Sequence, residues 1–367
     1  MTLTKALPRI ILPVVIAVTL LAGLGAGLTR LGWDMGELSR RVYLMHGPLM
    51  ISGFLGTLLC LERAVALASR VRWAIAAPAL SAIGAVAVLL WPDAVYAKAL
   101  FTASGVGLVI LFVLMLRIHP SRDVAIMGVG AVCWMVGNAV WLSGRPIFEV
   151  VHLWAAFLIL TIVGERLELS RVRRLTPTSE RLLVGAVGVY AIGALSSPLN
   201  LALGIRVLGV GAVLIGAWLL HYDVARRTVR VAGLPRYIAT CLLPGYAWLA
   251  FGGIAAIWKG AIYAGPDYAL VLHAFLLGFV FSMIFGHMPI ILPAVTGVKL
   301  NFSPVLYIPL ALLHISLVLR MVAIMRLDLA GRQTGGMLNA IAILLFLAMT
   351  VVIVVRSNRG SGQPVPA

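Results

Sequence analysis

Histidine is the residue type that offers most chemistry in this chain, and seven of them are spread along its 367 residues. His273 and His287 stand fourteen residues apart in one apolar run, Tyr268 to Leu292. One helix would carry both on nearly the same face, about 21 Å apart, which is too far for one small site. His46 and His152 likewise lie a few residues inside apolar runs, and His314 lies in the middle of another. A polar ring inside hydrocarbon costs free energy unless something binds it. Neutral imidazole is a common ligand of haem iron and copper, so these rings are candidates for a buried haem or metal layer. Each could instead hydrogen-bond a neighbouring helix. His287 and His314 could form a second metal site or a polar path. His119 and His221 fall near the inner surface and are given no role.

A haem also needs cations for its carboxylates, and arginine pairs a carboxylate through a planar fork. Arg40 and Arg41 flank one apolar run, and Arg320, Arg326 and Arg332 surround the joint between the last two. Arg326, Arg332 and Arg206 are taken as the cofactor contacts. Arg206 falls inside an apolar run and should have an anionic partner. Met45, Met50, Met283 and Met288 stand near histidines, where thioether sulfur would suit copper(I), although methionine is also an ordinary apolar filler. Cys60, Cys133 and Cys241 lie in apolar runs without metal-ligand spacing and read as small buried hydrophobes.

The elements that must hold these residues are membrane helices. The chain is 62% hydrophobic and 11% charged, against about a quarter charged in globular proteins. Twelve apolar runs are expected to span: Ile10 to Leu28, Val42 to Leu61, Trp73 to Leu90, Ala97 to Leu116, Val124 to Leu142, Ile147 to Val163, Leu182 to Leu195, Leu201 to Leu220, Tyr237 to Ile257, Tyr268 to Leu292, Val305 to Leu319 and Leu338 to Val355. The first follows Lys5 and Arg9 and is longer than a signal-peptide core, so it is expected to stay as a helix. No joint is long enough for a soluble domain, and the expectation is one all-α polytopic membrane domain over residues 1–367.

A net charge of +17 would suggest nucleic acid in a soluble protein. Here about two thirds of the 29 Lys and Arg fall in alternate joints and at the two ends, the inward-positive pattern of membrane topology. Arg166, Arg171, Arg173, Arg174 and Arg181 make one such joint; Arg226, Arg227, Arg230 and Arg236 make another. Nucleic acid is therefore excluded as a partner in favour of the lipid bilayer. Both termini are expected in the cytoplasm, in a bacterial inner membrane. With that topology His46, His152 and His273 lie about one and a half turns below the outer surface, on the second, sixth and tenth spans. The spacing of four spans suggests three four-helix pseudo-repeats, whose marked helices end on Glu62, Glu165 and His287.

Twelve spans with histidines at the outer ends of the second, sixth and tenth resemble the catalytic subunit of the haem-copper oxidase and nitric oxide reductase superfamily. HGPLMISGF at His46 is similar to its second-helix motif, which supplies a low-spin haem ligand. EVVHLW at His152 is similar to the sixth-helix motif of nitric oxide reductases, whose histidine binds a non-haem metal. In size and plan the chain also resembles the NnrS proteins, twelve-helix haem and copper membrane proteins linked to nitric oxide stress. The resemblance implies His46 and His273 as axial ligands of a haem b, with His152 facing a second metal, copper among the choices, or the distal side of a haem. The pattern departs at three places: the seventh span has no histidine, the tenth has His273 without a second histidine two residues away, and Ala156 stands where nitric oxide reductases carry a glutamate.

The expected function is haem-binding electron transfer or nitric oxide metabolism or response, alongside a redox partner or other respiratory subunits. Proton pumping is not expected, because no acidic residue falls at mid-membrane and pumps need ionisable relays there. Two other readings are a transporter that moves a metal or small solute past His and Met residues, and a non-catalytic subunit of a respiratory assembly.

Overall fold

The computed structural model describes residues 10–170 and 175–359 of the chain. Lys5, Arg9, Arg171, Arg173 and Arg174 lie outside the described residues. Among the described residues all regular structure is helical, and 12 helices are long and apolar enough to cross a membrane. They are α1 Leu12–Arg30, α2 Glu37–Leu67, α3 Arg72–Leu90, α4 Val95–Ile118, α5 Arg122–Leu142, α6 Ile147–Ser170, α7 Pro177–Ser196, α8 Leu201–Tyr222, α9 Leu234–Lys259, α10 Gly265–Ala294, α11 Pro304–Met325 and α12 Leu329–Asn358. This is the expected count in the expected order. The helices run past the apolar runs because their polar end residues continue the helix into the interface, where water satisfies the free end groups. At α7, Thr176 Oγ1 accepts from the Ser179 amide at 3.2 Å, Pro177 opens the helix and Glu180 lies in its first turn. These are ordinary start signals on residues too polar to count as a span.

The helices pack as two compact units. The first contains Met1–Glu168, Val184–Gly211 and Ile257–Ala264; the second contains Leu169–Leu183, Ala212–Ala256 and Gly265–Ala367. In the first unit small residues let helices touch backbone to backbone, as where a Cβ on Gly105 of α4 would stand 2.9 Å from the Met135 Cα of α5. That is how helices associate in lipid, where apolar burial gives little drive and close packing must serve instead.

Two helices contain a long π-helical stretch, and both carry a candidate histidine. Eight residues of α2, Leu49–Gly56, and eight of α10, Ala274–Phe281, are π-helical. The first stretch begins three residues after His46, the second directly after His273. Pro48 has no amide hydrogen for the regular ladder just before the α2 stretch. In α10 the His273 side chain takes the Ala269 carbonyl, the one its own amide would use in an α-helix. Wide turns of this kind are frequent at functional sites. The histidine helix α6 has none.

Candidate functional site

In the first unit, α1 holds the His46 ring. His46 Nδ1 lies 2.8 Å from the Gly23 carbonyl oxygen. A carbonyl only accepts, so Nδ1 carries the proton and the ring's lone pair is on Nε2. Gly27, one turn along α1, gives the ring its place: a Cβ there would stand 2.7 Å from His46 Cε1 and 2.8 Å from Nδ1. Met50 fills the neighbouring notch, with its sulfur 2.6 Å from where a Gly23 Cβ would be. It acts there as packing.

His152 on α6 is 2% exposed, and neither ring nitrogen has a hydrogen-bond partner among the described residues. Helix α6 meets α5 through Trp154, packed edge-on to Trp141, and Phe157, stacked on Trp134. By helical geometry His152 lies off that seam. Asn138 Nδ2, Trp154 Nε1 and Tyr190 Oη of the same unit are likewise buried without partners among the described residues. Beside α5 a polar cluster crosses the helices: Trp134 Nε1 donates to Ser52 Oγ at 3.1 Å, Ser52 Oγ donates to Asn138 Oδ1 at 3.2 Å, and Ser81 Oγ donates to the Ser52 carbonyl at 2.9 Å. Ser52 lies within the π-helical stretch of α2.

In the second unit, His273 Nδ1 and His287 Nδ1 donate to carbonyls one turn back on α10, Ala269 at 2.7 Å and Met283 at 2.8 Å. Both rings therefore also carry their lone pair on Nε2. His314 is engaged at both nitrogens. Trp248 Nε1 on α9 donates to His314 Nδ1 at 3.1 Å. Because Nδ1 accepts, Nε2 bears the proton and donates to Ser282 Oγ at 3.3 Å. Ser282 Oγ passes its own hydrogen to the Cys241 carbonyl at 2.6 Å. The chain ties α9, α10 and α11 together, and metal binding at His314 would have to break it.

The candidate histidines thus divide between the units, His46 and His152 in the first and His273, His287 and His314 in the second. No group of three or more His, Cys, Asp or Glu that could hold a metal ion occurs among the described residues. The three cysteines are free and buried, as expected of small hydrophobes.

The anionic partner expected for Arg206 does not occur among the described residues. Arg206 is exposed, its Nη1 lies 3.5 Å from the Ala202 carbonyl, and its guanidinium lies over Gly260. Arginines near the ends of spanning helices carry their charge to the interface along an apolar stem instead of pairing with an anion, and Arg206 lies near the start of α8. Arg326 is exposed, and Arg332 is partly buried.

Sequence reading gave no role to Arg63, which follows the apolar run Val42 to Leu61. Its guanidinium forms an ion pair with Glu165 of α6 and a second with Glu62 at 3.3 Å. Two of the polar residues that end the marked helices therefore meet through one arginine. The signal was the Glu-Arg dipeptide at 62–63 of α2 and again at 165–166 of α6.

Fold and composition define an all-α integral membrane protein of twelve helices. The chain belongs to the family described as a domain of unknown function, DUF8744, whose sequence pattern covers residues 9–355. No curated protein and no solved structure matches it.

Proposed function

We propose that the chain is a haem-binding protein of the bacterial inner membrane, acting in electron transfer or nitric oxide chemistry. The observation that carries this reading is His152. A buried imidazole with both nitrogens unbonded costs about 1–3 kcal/mol for each polar atom left without a partner. A bound group offering a metal centre, or an acceptor in the distal space of one, removes that cost. His46 and His273 support the reading in a second way. Each donates Nδ1–H to a backbone carbonyl, the outer arrangement that fixes a ligating histidine and leaves Nε2 to the metal. When bound, the haem iron would supply one-electron chemistry and a site for a diatomic ligand. Copper is the second metal we assign to His152, and His287 has the same donor arrangement as His273.

Proton pumping is not part of this function. The acidic residues of the described spans lie near helix ends, among them Glu62, Asp123, Glu149, Glu165 and Asp267, and no relay is expected without them. The basic joints support a topology with both termini in the cytoplasm.

The test is the absorption spectrum and metal content of the purified protein with His46→Ala, His273→Ala and His314→Ala. A Soret band lost or shifted in the first two and kept in the third supports the reading. Absence of the band from folded wild-type protein isolated from haem-replete cells rejects it.

A further inference from the structure

The adjoining ends of α11 and α12 carry two arginines, Arg320 and Arg332, with no ion-pair partner among the described residues. Gly335 of α12 fits against the α11 backbone at Arg320, where an added Cβ would stand 2.8 Å from Arg320 Cβ and 2.9 Å from Arg320 Cα. Arg332 lies three residues before Gly335, on the same side of α12, so both arginines sit along the seam where α12 meets α11. Arg320 is 6% exposed. The Nε atoms of both side chains are buried without a hydrogen-bond partner. No ion pair among the described residues involves either arginine. Asp328, the acid closest in sequence, turns back to cap α12, its Oδ1 accepting from the Gly331 amide at 3.0 Å.

Two like charges on one helix seam, one of them withdrawn from solvent, raise the free energy of the fold unless an anion joins them. The guanidinium fork matches the oxygens of a carboxylate or phosphate, and two forks can share one such group. The turn also presents Met325, Leu327 and Leu329 as exposed apolar side chains, a rim suited to an amphiphile. We propose that Arg320 and Arg332 form an oxyanion site in the second unit, filled by a phosphate or carboxylate group borne either on an acidic phospholipid or on a soluble anion. This site does not depend on haem.

The experiment follows thermal unfolding of the detergent-purified full chain in two titrations. One adds inorganic phosphate at constant ionic strength, and the other adds phosphatidylglycerol against phosphatidylcholine in mixed micelles. At least one addition raises the midpoint of wild type, and R320Q and R332Q weaken the apparent affinity by about tenfold or more. R30Q, an exposed arginine of α1, responds like wild type. A rise with phosphatidylglycerol alone identifies a lipid headgroup, and a rise with phosphate identifies a soluble anion. Equal responses in wild type, R320Q and R332Q overturn the proposal. So does a response that disappears as haem content, read from the Soret band, increases, since the pair would then belong to the cofactor's carboxylates. If R320Q does not fold, R332Q and R332K carry the comparison.

Discussion

At the scale of single residues, what separates the histidines is where their nitrogens go. His46 gives Nδ1 to Gly23 and rests against Gly27, so Gly27→Ala pushes a methyl into the ring. The expected outcome is a loss of about 1–3 kcal/mol from overpacking, seen as a lower thermal midpoint, together with a changed Soret band if His46 ligates iron. His314→Ala strands the Trp248 indole N–H, while the Ser282 hydroxyl keeps its hydrogen bond to the Cys241 carbonyl. It should cost about 1–3 kcal/mol for the stranded indole and leave the Soret band in place, which a paired melt and spectrum would check. In the sequence His152 and His314 looked alike, each a lone imidazole in an apolar run. The difference lies with Trp248, 66 residues away in the chain, which no local pattern relates to His314.

Helices bring their own account of what could be read beforehand. All twelve spans were legible because a spanning helix needs about 20 apolar residues, a signal too long to arise by chance in most chains. Their ends were less so: α12 begins at Leu329, where the run LAGRQTGG looks like a loop until Gly335 is seen packed against Arg320. The π-helical stretches were hidden too, since HGPLMISGF and HAFLLGFVF share little beyond their first residue and a few apolar positions. Arg63 belongs to this scale, joining α2 to α6. Arg63→Met leaves Glu165 with no counter-charge from α2 and is expected to cost about 3–5 kcal/mol. Arg63→Met combined with Glu165→Leu should recover much of that loss, because the double change leaves no charge of the pair behind. Thermal melts of the two variants decide it, and equal destabilisation would mean the pair contributes little.

For the whole molecule, an even number of crossings puts both termini on one side, and the topology proposed from the basic joints has that side in the cytoplasm. Alkaline phosphatase fused after Arg356 is expected to be inactive, and the same enzyme inserted between α5 and α6, at Gly144, active. The reverse pattern would invert the topology and with it the outer depth assigned to His46, His152 and His273. The central claim, that this chain carries haem, is tested most directly by the absorption spectrum and iron content of the protein purified from haem-replete cells. The account predicts a Soret band with stoichiometric iron, diminished or displaced in His46→Ala. A folded, monodisperse preparation with neither the band nor iron would contradict it.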